Sequence, residues 1–165
     1  MKLKTVLICF AFALAFSACA APKQNSAQPQ GKKEVYSMPD GSVLKVKLAD
    51  NELNLVVANS PKAKADGLSY KKEIPEDGMI FFFYEPDTLS FWMKDMNFPI
   101  DIVWIAGNKV VGIEKNAPAP EPGTKLMDLP IYRSNEKADT VVELEAGASE
   151  KLNIVPGSLI EFQIQ

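Results

Sequence analysis

The 165-residue chain has no histidine and only two cysteines, and these shortages narrow the chemistry open to it. Without an imidazole it cannot use a Ser-His-Asp or Cys-His nucleophile system, a histidine zinc site or histidine acid–base catalysis. Cys9 lies within an apolar N-terminal run and Cys19 directly follows that run, so the rest of the chain has no thiol and no disulfide. An enzyme on this chain would rely on carboxylates, lysine, tyrosine or serine, and no metal or cofactor is expected.

The N-terminus reads as a lipoprotein export signal. Two lysines form a basic head, and residues 6–16 are an apolar run too short to span a bilayer. The run ends in Phe16-Ser17-Ala18-Cys19, which resembles the bacterial lipobox, whose cysteine is acylated and becomes the new N-terminus. We therefore predict a signal peptide over residues 1–18, lipidation of Cys19 and export to the periplasmic face of the cell envelope. The residue after the cysteine is Ala20 and not the aspartate that is linked to inner-membrane retention, which favours the outer membrane in a Gram-negative cell.

Removing the leader makes the chain more acidic. The chain has 18 basic and 21 acidic side chains, and cleavage before Cys19 removes two of the basic ones, which leaves 16 against 21 and a net charge of −5. Nucleic acids and anionic headgroups bind clusters of lysine and arginine. Outside the leader, adjacent basic residues occur only as the two pairs Lys32-Lys33 and Lys71-Lys72. We therefore expect no nucleic-acid partner, and membrane attachment through lipid on Cys19 rather than through charge.

The rest of the chain divides into a tether and one domain. Residues 19–33 are small and polar, which predicts a lipidated flexible tether. Residues 34–165 contain short apolar segments separated by turn residues, the pattern of an antiparallel β-sandwich or barrel. Ser60-Pro61 favours the start of one short helix, and residues 149–153 favour a helical turn. We predict a single, mainly β domain with one or two short helices.

A proline-rich segment interrupts the predicted strands. Residues 116–123 contain Pro118, Pro120 and Pro122, so they cannot form a helix and are predicted to be an extended surface segment. Tyr132 follows this segment closely. Its ring either lines a cleft beneath the segment or packs there against the domain.

The candidate site lies in residues 90–101. Alternation along a strand places Phe91 and Met93 on a core face and Trp92 and Lys94 on the other face. An indole beside an ammonium group suits stacking against a sugar or planar ligand with hydrogen bonds at its edge. The alternative is that this second face is covered too, with the indole packed and the ammonium group reaching solvent.

Lys94 and Asp101 face each other across a hairpin if residues 95–100 form its loop. Such a pair is a candidate proton-transfer couple, although the same pairing also fixes the register of a hairpin. Met93 and Met96 have the spacing of a thioether site for a copper(I)-like ion. That site is weak because no histidine supports it.

Several segments together resemble a known family. They are Gly67-Leu68, residues 74–81, residues 90–94, Pro99-Ile100-Asp101, residues 114–118, and Gly147 through Pro156-Gly157. From Val43 to the C-terminus the chain resembles the domain-of-unknown-function family 192. The resemblance implies a single, mainly β domain that is often exported and has no agreed activity or cofactor.

Two departures from the family pattern bear on chemistry. Many relatives carry Arg-Gly-Leu-Met where this chain has Asp66-Gly67-Leu68-Ser69, and a Pro-Cys where it continues Pro120-Glu121-Pro122. Family chemistry that needs that arginine or thiol is therefore absent here. The residues that match the pattern, and that could retain a shared pocket, are Trp92, Lys94, Asp101, Asn116 and Pro118.

Three functions are compatible with the sequence. The leading one is a membrane-tethered, non-enzymatic module that binds a small or extended envelope ligand, such as a glycan. Its candidate ligand-binding residues are Trp92, Lys94, Asp101, Asn116 and Tyr132. The second is an enzyme without histidine or metal that uses Asp101 and Lys94 for acid–base chemistry. The third is a structural envelope lipoprotein that contacts another protein.

Overall fold

A computed structural model describes residues 34–164 of the chain. The predicted signal peptide, Cys19 and the predicted tether lie outside the described residues. Between residues 34 and 164, no helix has both the length and the apolar character needed to cross a membrane.

The described chain folds mainly into β-strands. In chain order the elements are β1 (Val43–Leu48), β2 (Asn51–Ala58), α1 (Pro61–Asp66), β3 (Met79–Asp87), β4 (Ser90–Trp92), β5 (Ile100–Ala106), β6 (Lys109–Ala117), a 3₁₀ helix (Leu126–Asp128), β7 (Ile131–Arg133), β8 (Ala138–Glu145), α2 (Ala148–Lys151) and β9 (Ile160–Phe162). The predicted fold class, mainly β with one or two short helices, is confirmed.

Seven strands form one sheet in the order β6-β5-β8-β3-β2-β1-β9, and this sheet curls into a half-barrel. Its strand pairs are antiparallel except for β2 and β3, which run parallel with Val56 opposite Met79. A parallel pair needs a crossover connection, here residues 59–78, which contain α1. β4 and β7 form a separate two-stranded ribbon.

The crossover begins with the helix that the sequence predicts. Ser60 has extended backbone dihedral angles, and its side chain accepts a hydrogen bond from the Ala63 backbone N–H at 3.1 Å. Pro61 occupies the first helical turn, where its missing N–H costs nothing. Gly67 ends the helix with φ of 48°, a conformation that glycine adopts without strain.

Apolar side chains pack on both faces of the sheet. Because β5 alternates, Val103 and Ile105 lie in one buried cluster and Ile102 and Trp104 lie in the other. The second cluster is covered by loops, which contribute the following buried residues: Leu68 from the crossover, and Met93 and Met96 from the connector, defined as residues 93–99. The structure thus places both thioethers of the suggested copper(I) site within an apolar core.

Candidate functional site

A cleft of about 450 Å³ opens between loops that lie far apart in the sequence. Its lining comes from Tyr70 in the crossover, residues 94–97 in the connector, and residues 120–124, 126 and 129. The last group belongs to the arm, defined as residues 118–130, which joins β6 to β7. The volume of this cleft falls within the range of small-molecule binding sites, roughly 300–1,000 Å³.

A hydrogen-bonded network of three side chains lies on one wall of the cleft. The Tyr70 hydroxyl donates to Asp95 Oδ2 at 2.5 Å, and Lys94 Nζ donates to the same oxygen at 2.6 Å. Lys94 Nζ also lies 6.0 Å from the centre of the Tyr70 ring. Asp95 Oδ1 accepts no hydrogen bond from the described residues, and an ammonium group has three N–H donors, so both groups can still bind a ligand.

The backbone holds this network in place. Tyr70 and Asp95 have φ of 61° and 57°, the left-handed region that bulky side chains rarely adopt. The Tyr70 backbone N–H donates to Asp95 O at 2.8 Å, and Ser69 Oγ donates to Lys94 O at 2.7 Å. The first bond joins the crossover to the connector at two residues with positive φ, and the second joins the residues that precede them. Such strain persists only where the surrounding fold imposes it, and it is common at ligand sites.

The network moves three pKa values away from neutrality. The hydrogen bond from Lys94, followed by the one from Tyr70, lowers the pKa of Asp95 below its ordinary value. The hydrogen bond to Asp95 raises the pKa of both the Lys94 ammonium group and the Tyr70 phenol. At neutral pH the site therefore presents a carboxylate, an ammonium group and a neutral phenol in a fixed arrangement.

The arm forms the opposite side of the cleft. Residues 121–128 are all exposed, and the 3₁₀ helix buries none of its side chains. The hydrogen bonds of the arm are local: the Thr124 N–H and hydroxyl donate to Glu121 O, and the Asp128 N–H donates to Lys125 O. Among the described residues, no hydrogen bond joins the arm to the crossover or the connector. Residues 118–123 of the segment predicted to be extended and proline-rich form a surface loop, whereas Asn116 and Ala117 belong to β6 and Ala117 is buried.

The structure corrects the predicted pairing of Lys94 with Asp101. Residues 90–101 do not form a hairpin, because β4 pairs with β7 whereas β5 pairs with β6 and β8. Lys94 instead forms an ion pair with its neighbour Asp95.

Asp101 is buried at the junction of β5, β6 and α2. Its carboxylate accepts hydrogen bonds from four donors: Asn116 N–H at 2.8 Å, Gly147 N–H at 3.1 Å, Ser149 N–H at 2.9 Å and Ser149 Oγ at 2.6 Å. Burial by itself opposes ionisation, but the hydrogen bonds from Ser149, Asn116 and Gly147 outweigh it and lower the pKa of Asp101. These contacts make Asp101 a structural tie, and it is not among the residues that line the cleft.

The other predicted ligand-binding residues do not line the cleft. Trp92 is 47% exposed on the ribbon, directly opposite Ile131, which is 51% exposed. Asn116 is exposed at the end of β6 with φ of 54°. Tyr132 is half-buried against the second apolar cluster, and burial raises its pKa. Of the five residues, the structure therefore places Lys94 in the cleft.

Sequence reasoning missed Tyr70 and Asp95. Asp95 directly follows Lys94, but the assumed hairpin placed it in a loop with no assigned role. Tyr70 is 25 residues earlier in the chain, and no local pattern indicates that the crossover folds onto the connector. Within residues 34–164, no group of three or more acidic side chains could hold a metal ion.

Comparisons with known proteins agree with the resemblance seen in the sequence. The model of family DUF192, described as an uncharacterised ACR, matches residues 43–162. A crystal structure from Sinorhizobium meliloti, of a proposed transcription regulator, is 28% identical with a TM-score of 0.66 and covers 76% of this chain and 97% of its own. A protein of unknown function from Novosphingobium aromaticivorans is 26% identical with a TM-score of 0.61 and covers 72% of this chain and 83% of its own. No curated protein matches. Because the family model spans most of the chain, the chain belongs to the domain-of-unknown-function family 192.

Proposed function

We propose that this chain is a lipid-anchored module of the cell envelope that binds a small or extended ligand in the cleft. The observation that carries the proposal is the network of Tyr70, Asp95 and Lys94 on the cleft wall. It combines a fixed aromatic ring, a carboxylate and an ammonium group beside a concave surface. A few convergent polar groups in a partly apolar cleft are typical of a ligand site.

The pKa directions favour binding over acid–base catalysis. A catalytic acid or base works best with a pKa near the working pH, but here the pKa of Asp95 is lowered and those of Lys94 and Tyr70 are raised. The alternative enzyme that uses Asp101 with Lys94 also loses support, because Lys94 pairs with Asp95 and the Asp101 carboxylate is held by backbone and serine donors. A charged, pre-organised network suits recognition of a ligand without its transformation.

The proposed anchor determines where the ligand is found. Acylation of Cys19 would attach the chain to a membrane, and residues 19–33 would then link the lipid to the domain that begins at residue 34. A random coil of this length has an r.m.s. reach of roughly 20 Å. A ligand bound by the domain therefore belongs to the region next to that membrane.

The exposed ribbon supports a second candidate, a lipoprotein that contacts another protein. Trp92 and Ile131 are cross-strand partners and each is about half exposed. Exposed aromatic residues of this kind are enriched at the centres of protein interfaces. A role in transcription regulation, which the description of the Sinorhizobium relative proposes for that protein, gains no support from the charge of this chain, because DNA binding favours clustered basic residues and this chain is acidic.

The experiment is a thermal-shift screen of the full chain in a detergent without a sugar headgroup. The panel contains envelope sugars, peptidoglycan fragments, nucleotides and divalent cations. A ligand at one hundred times its Kd stabilises by about 2.7 kcal/mol, which raises the Tm of a domain of this size by roughly 5–10 °C.

Two tyrosine variants make the screen specific for the cleft. Tyr70 and Tyr84 are 74% and 75% exposed, but Tyr70 lines the cleft and Tyr84 does not. We expect Tyr70→Phe to reduce the shift and Tyr84→Phe to leave it unchanged. A shift that survives Tyr70→Phe and disappears in Trp92→Ala would instead assign binding to the ribbon. The anchor is tested separately by cell fractionation. We expect the Cys19→Ser variant to be absent from the membrane fraction.

A further inference from the structure

We infer that the cleft selects an uncharged saccharide through two neighbouring hydroxyl groups. The inference rests on the proposed function, because it specifies the ligand class of the same cleft.

The charges on the lining disfavour an anionic ligand. Among residues 34–164, three charged side chains line the cleft, namely Lys94, Asp95 and Glu121. The one cation among these three is already paired with Asp95 at 2.6 Å, and Glu121 leaves the described lining with a net charge of −1. A phosphate, sulfate or carboxylate group would have to compete with Asp95 for Lys94 while it is repelled by Glu121. The cleft therefore suits a ligand that carries no negative charge.

The hydrogen-bonding groups match a pair of neighbouring hydroxyls. Asp95 Oδ1 is an acceptor without a partner among the described residues, and the Lys94 ammonium group beside it keeps N–H donors. A hydroxyl group both donates and accepts. One hydroxyl can therefore accept from Lys94 while its neighbour donates to Asp95, and both contacts are charge-assisted and therefore stronger than neutral ones.

The apolar part of the lining matches the C–H faces of a sugar ring. The residues that provide it are Met96, Pro120, Pro122, Leu126 and Leu129. Tyr70 adds an exposed aromatic ring whose hydroxyl is held by Asp95, so little side-chain entropy is lost when a ligand stacks on it. The cleft thus offers polar recognition on the connector and an apolar surface on the arm.

The test compares neutral and anionic forms of one ligand by calorimetric titration of the full chain, again without a glycoside detergent. The probes are the trisaccharides of glucose, mannose and galactose, the matching galacturonic acid trisaccharide, inorganic phosphate and a short peptidoglycan stem peptide. We expect at least one neutral trisaccharide to bind. We expect binding to be abolished by periodate, which cleaves the C–C bond between neighbouring hydroxyl-bearing carbons and oxidises both carbons to aldehydes as periodate is reduced to iodate. We expect the galacturonic acid trisaccharide to bind at least tenfold more weakly than its neutral counterpart, if that counterpart binds.

Two carboxylate variants assign the site. Asp95→Asn removes the charged acceptor, and we expect the Kd of the neutral trisaccharide to rise about tenfold or more. Asp128→Asn makes the same chemical change on the arm outside the cleft lining, and we expect the Kd to stay within twofold. Circular dichroism of both variants confirms that they are folded.

The possible failures are distinguishable. If phosphate or the peptide binds, or the uronic acid binds as tightly as its neutral counterpart, and Tyr70→Phe weakens that binding, the cleft is a binding site but the saccharide inference is overturned. If no probe binds, or if neither Tyr70→Phe nor Asp95→Asn changes the Kd, the saccharide inference fails together with the assignment of ligand binding to this cleft.

Discussion

Tyr70 and Asp95 are joined twice, once through the backbone N–H of Tyr70 to the carbonyl oxygen of Asp95 at 2.8 Å and once through the phenol to the carboxylate at 2.5 Å. The first bond fixes the distance between the crossover and the connector, and the second fixes the side chains that these loops present. Both residues occupy the left-handed backbone region, a conformation that persists where the surrounding fold imposes it. This double tie makes one wall of the cleft rigid before any ligand binds.

Titration of the phenols tests the network directly. The hydrogen bond to Asp95 raises the pKa of Tyr70 above the ordinary value of 10.0. In an ultraviolet absorbance titration, we expect Tyr70→Phe to remove a phenol that ionises above pH 10, whereas Asp95→Asn returns that phenol toward ordinary behaviour. Tyr84→Phe is the matched control. A Tyr70 that ionises with an ordinary pKa in the wild type contradicts the network.

Asp101→Ala should strongly destabilise the domain. The change leaves four donors without their acceptor, two of them buried on Ser149, and we expect the free energy of unfolding to fall by roughly 3–5 kcal/mol. Chemical denaturation at pH 7 measures this loss, with Asp128→Ala as an exposed control that changes stability by less than about 0.5 kcal/mol. If the two variants lose equal stability, the hydrogen bonds of Asp101 do not stabilise the fold as described.

The same carboxylate gives an acid-side pH dependence. The pKa of Asp101 is lower in the folded chain than its ordinary value of 3.8, so its ionised form favours folding. The stabilisation is present above pH 3.8 and is lost as the pH falls through the folded pKa. We expect Asp101→Asn to reduce the steepness of acid unfolding, measured by tryptophan fluorescence.

Glu143 gives a pH dependence of stability opposite in direction to that of Asp101. Its side chain is buried, its Oε2 accepts no hydrogen bond from the described residues, and burial raises its pKa to about 8 from 4.5. The folded state keeps the proton that the unfolded state releases, so stability falls as the pH rises from 4.5 to about 8. The fall amounts to roughly 5 kcal/mol at most, since one unit of pKa corresponds to about 1.4 kcal/mol.

Glu143→Gln removes this pH dependence. We expect its denaturation midpoint to stay nearly constant between pH 5 and about 8, where the midpoint of the wild type declines. Glu145→Gln, an exposed change on the same strand, should follow the wild type. A wild-type midpoint that is flat over this range would contradict the raised pKa of Glu143.

Gly78→Ala tests the close approach of the crossover to β8. A Cβ at Gly78 would lie 2.2 Å from Glu143 O, and the backbone there has φ of +151°. Because the obstructing atom belongs to the backbone of a buried strand, we expect a loss of about 3 kcal/mol or more. Gly107→Ala has φ of +66° and no atom within 4 Å, so it should lose about 1 kcal/mol. Equal losses in thermal unfolding would contradict the predicted clash.

The parts of the fold that local patterns encode were predictable from the sequence. Alternation and turn residues indicated the mainly β domain, Ser60-Pro61 the start of α1, and the prolines the surface loop. Strand pairing is not local, which explains the error over residues 90–101. β4 pairs with a strand 40 residues later, and nothing near Trp92 indicates that Ile131 lies opposite.

The site was predictable only where it overlaps a local pattern. Lys94 stood out because strand alternation placed it beside Trp92. Tyr70 and Asp95 acquire their relationship from two left-handed residues in different loops, and single-residue backbone conformations of this kind leave little trace in composition. Asp101 was identified as important, but its donors come from β6 and α2, so its structural role depends on tertiary contacts.

The crossover and the arm join strands whose ends are already fixed by pairing within the half-barrel or the ribbon. The entropy of closing a flexible loop grows only slowly with its length, by about 0.6 kcal/mol for each doubling. Insertions in these two segments can therefore reshape the cleft at small thermodynamic cost while the sheet keeps its register. The fold is in this sense open to diversification of the cleft, because two of the segments that line it are those whose length matters least to stability.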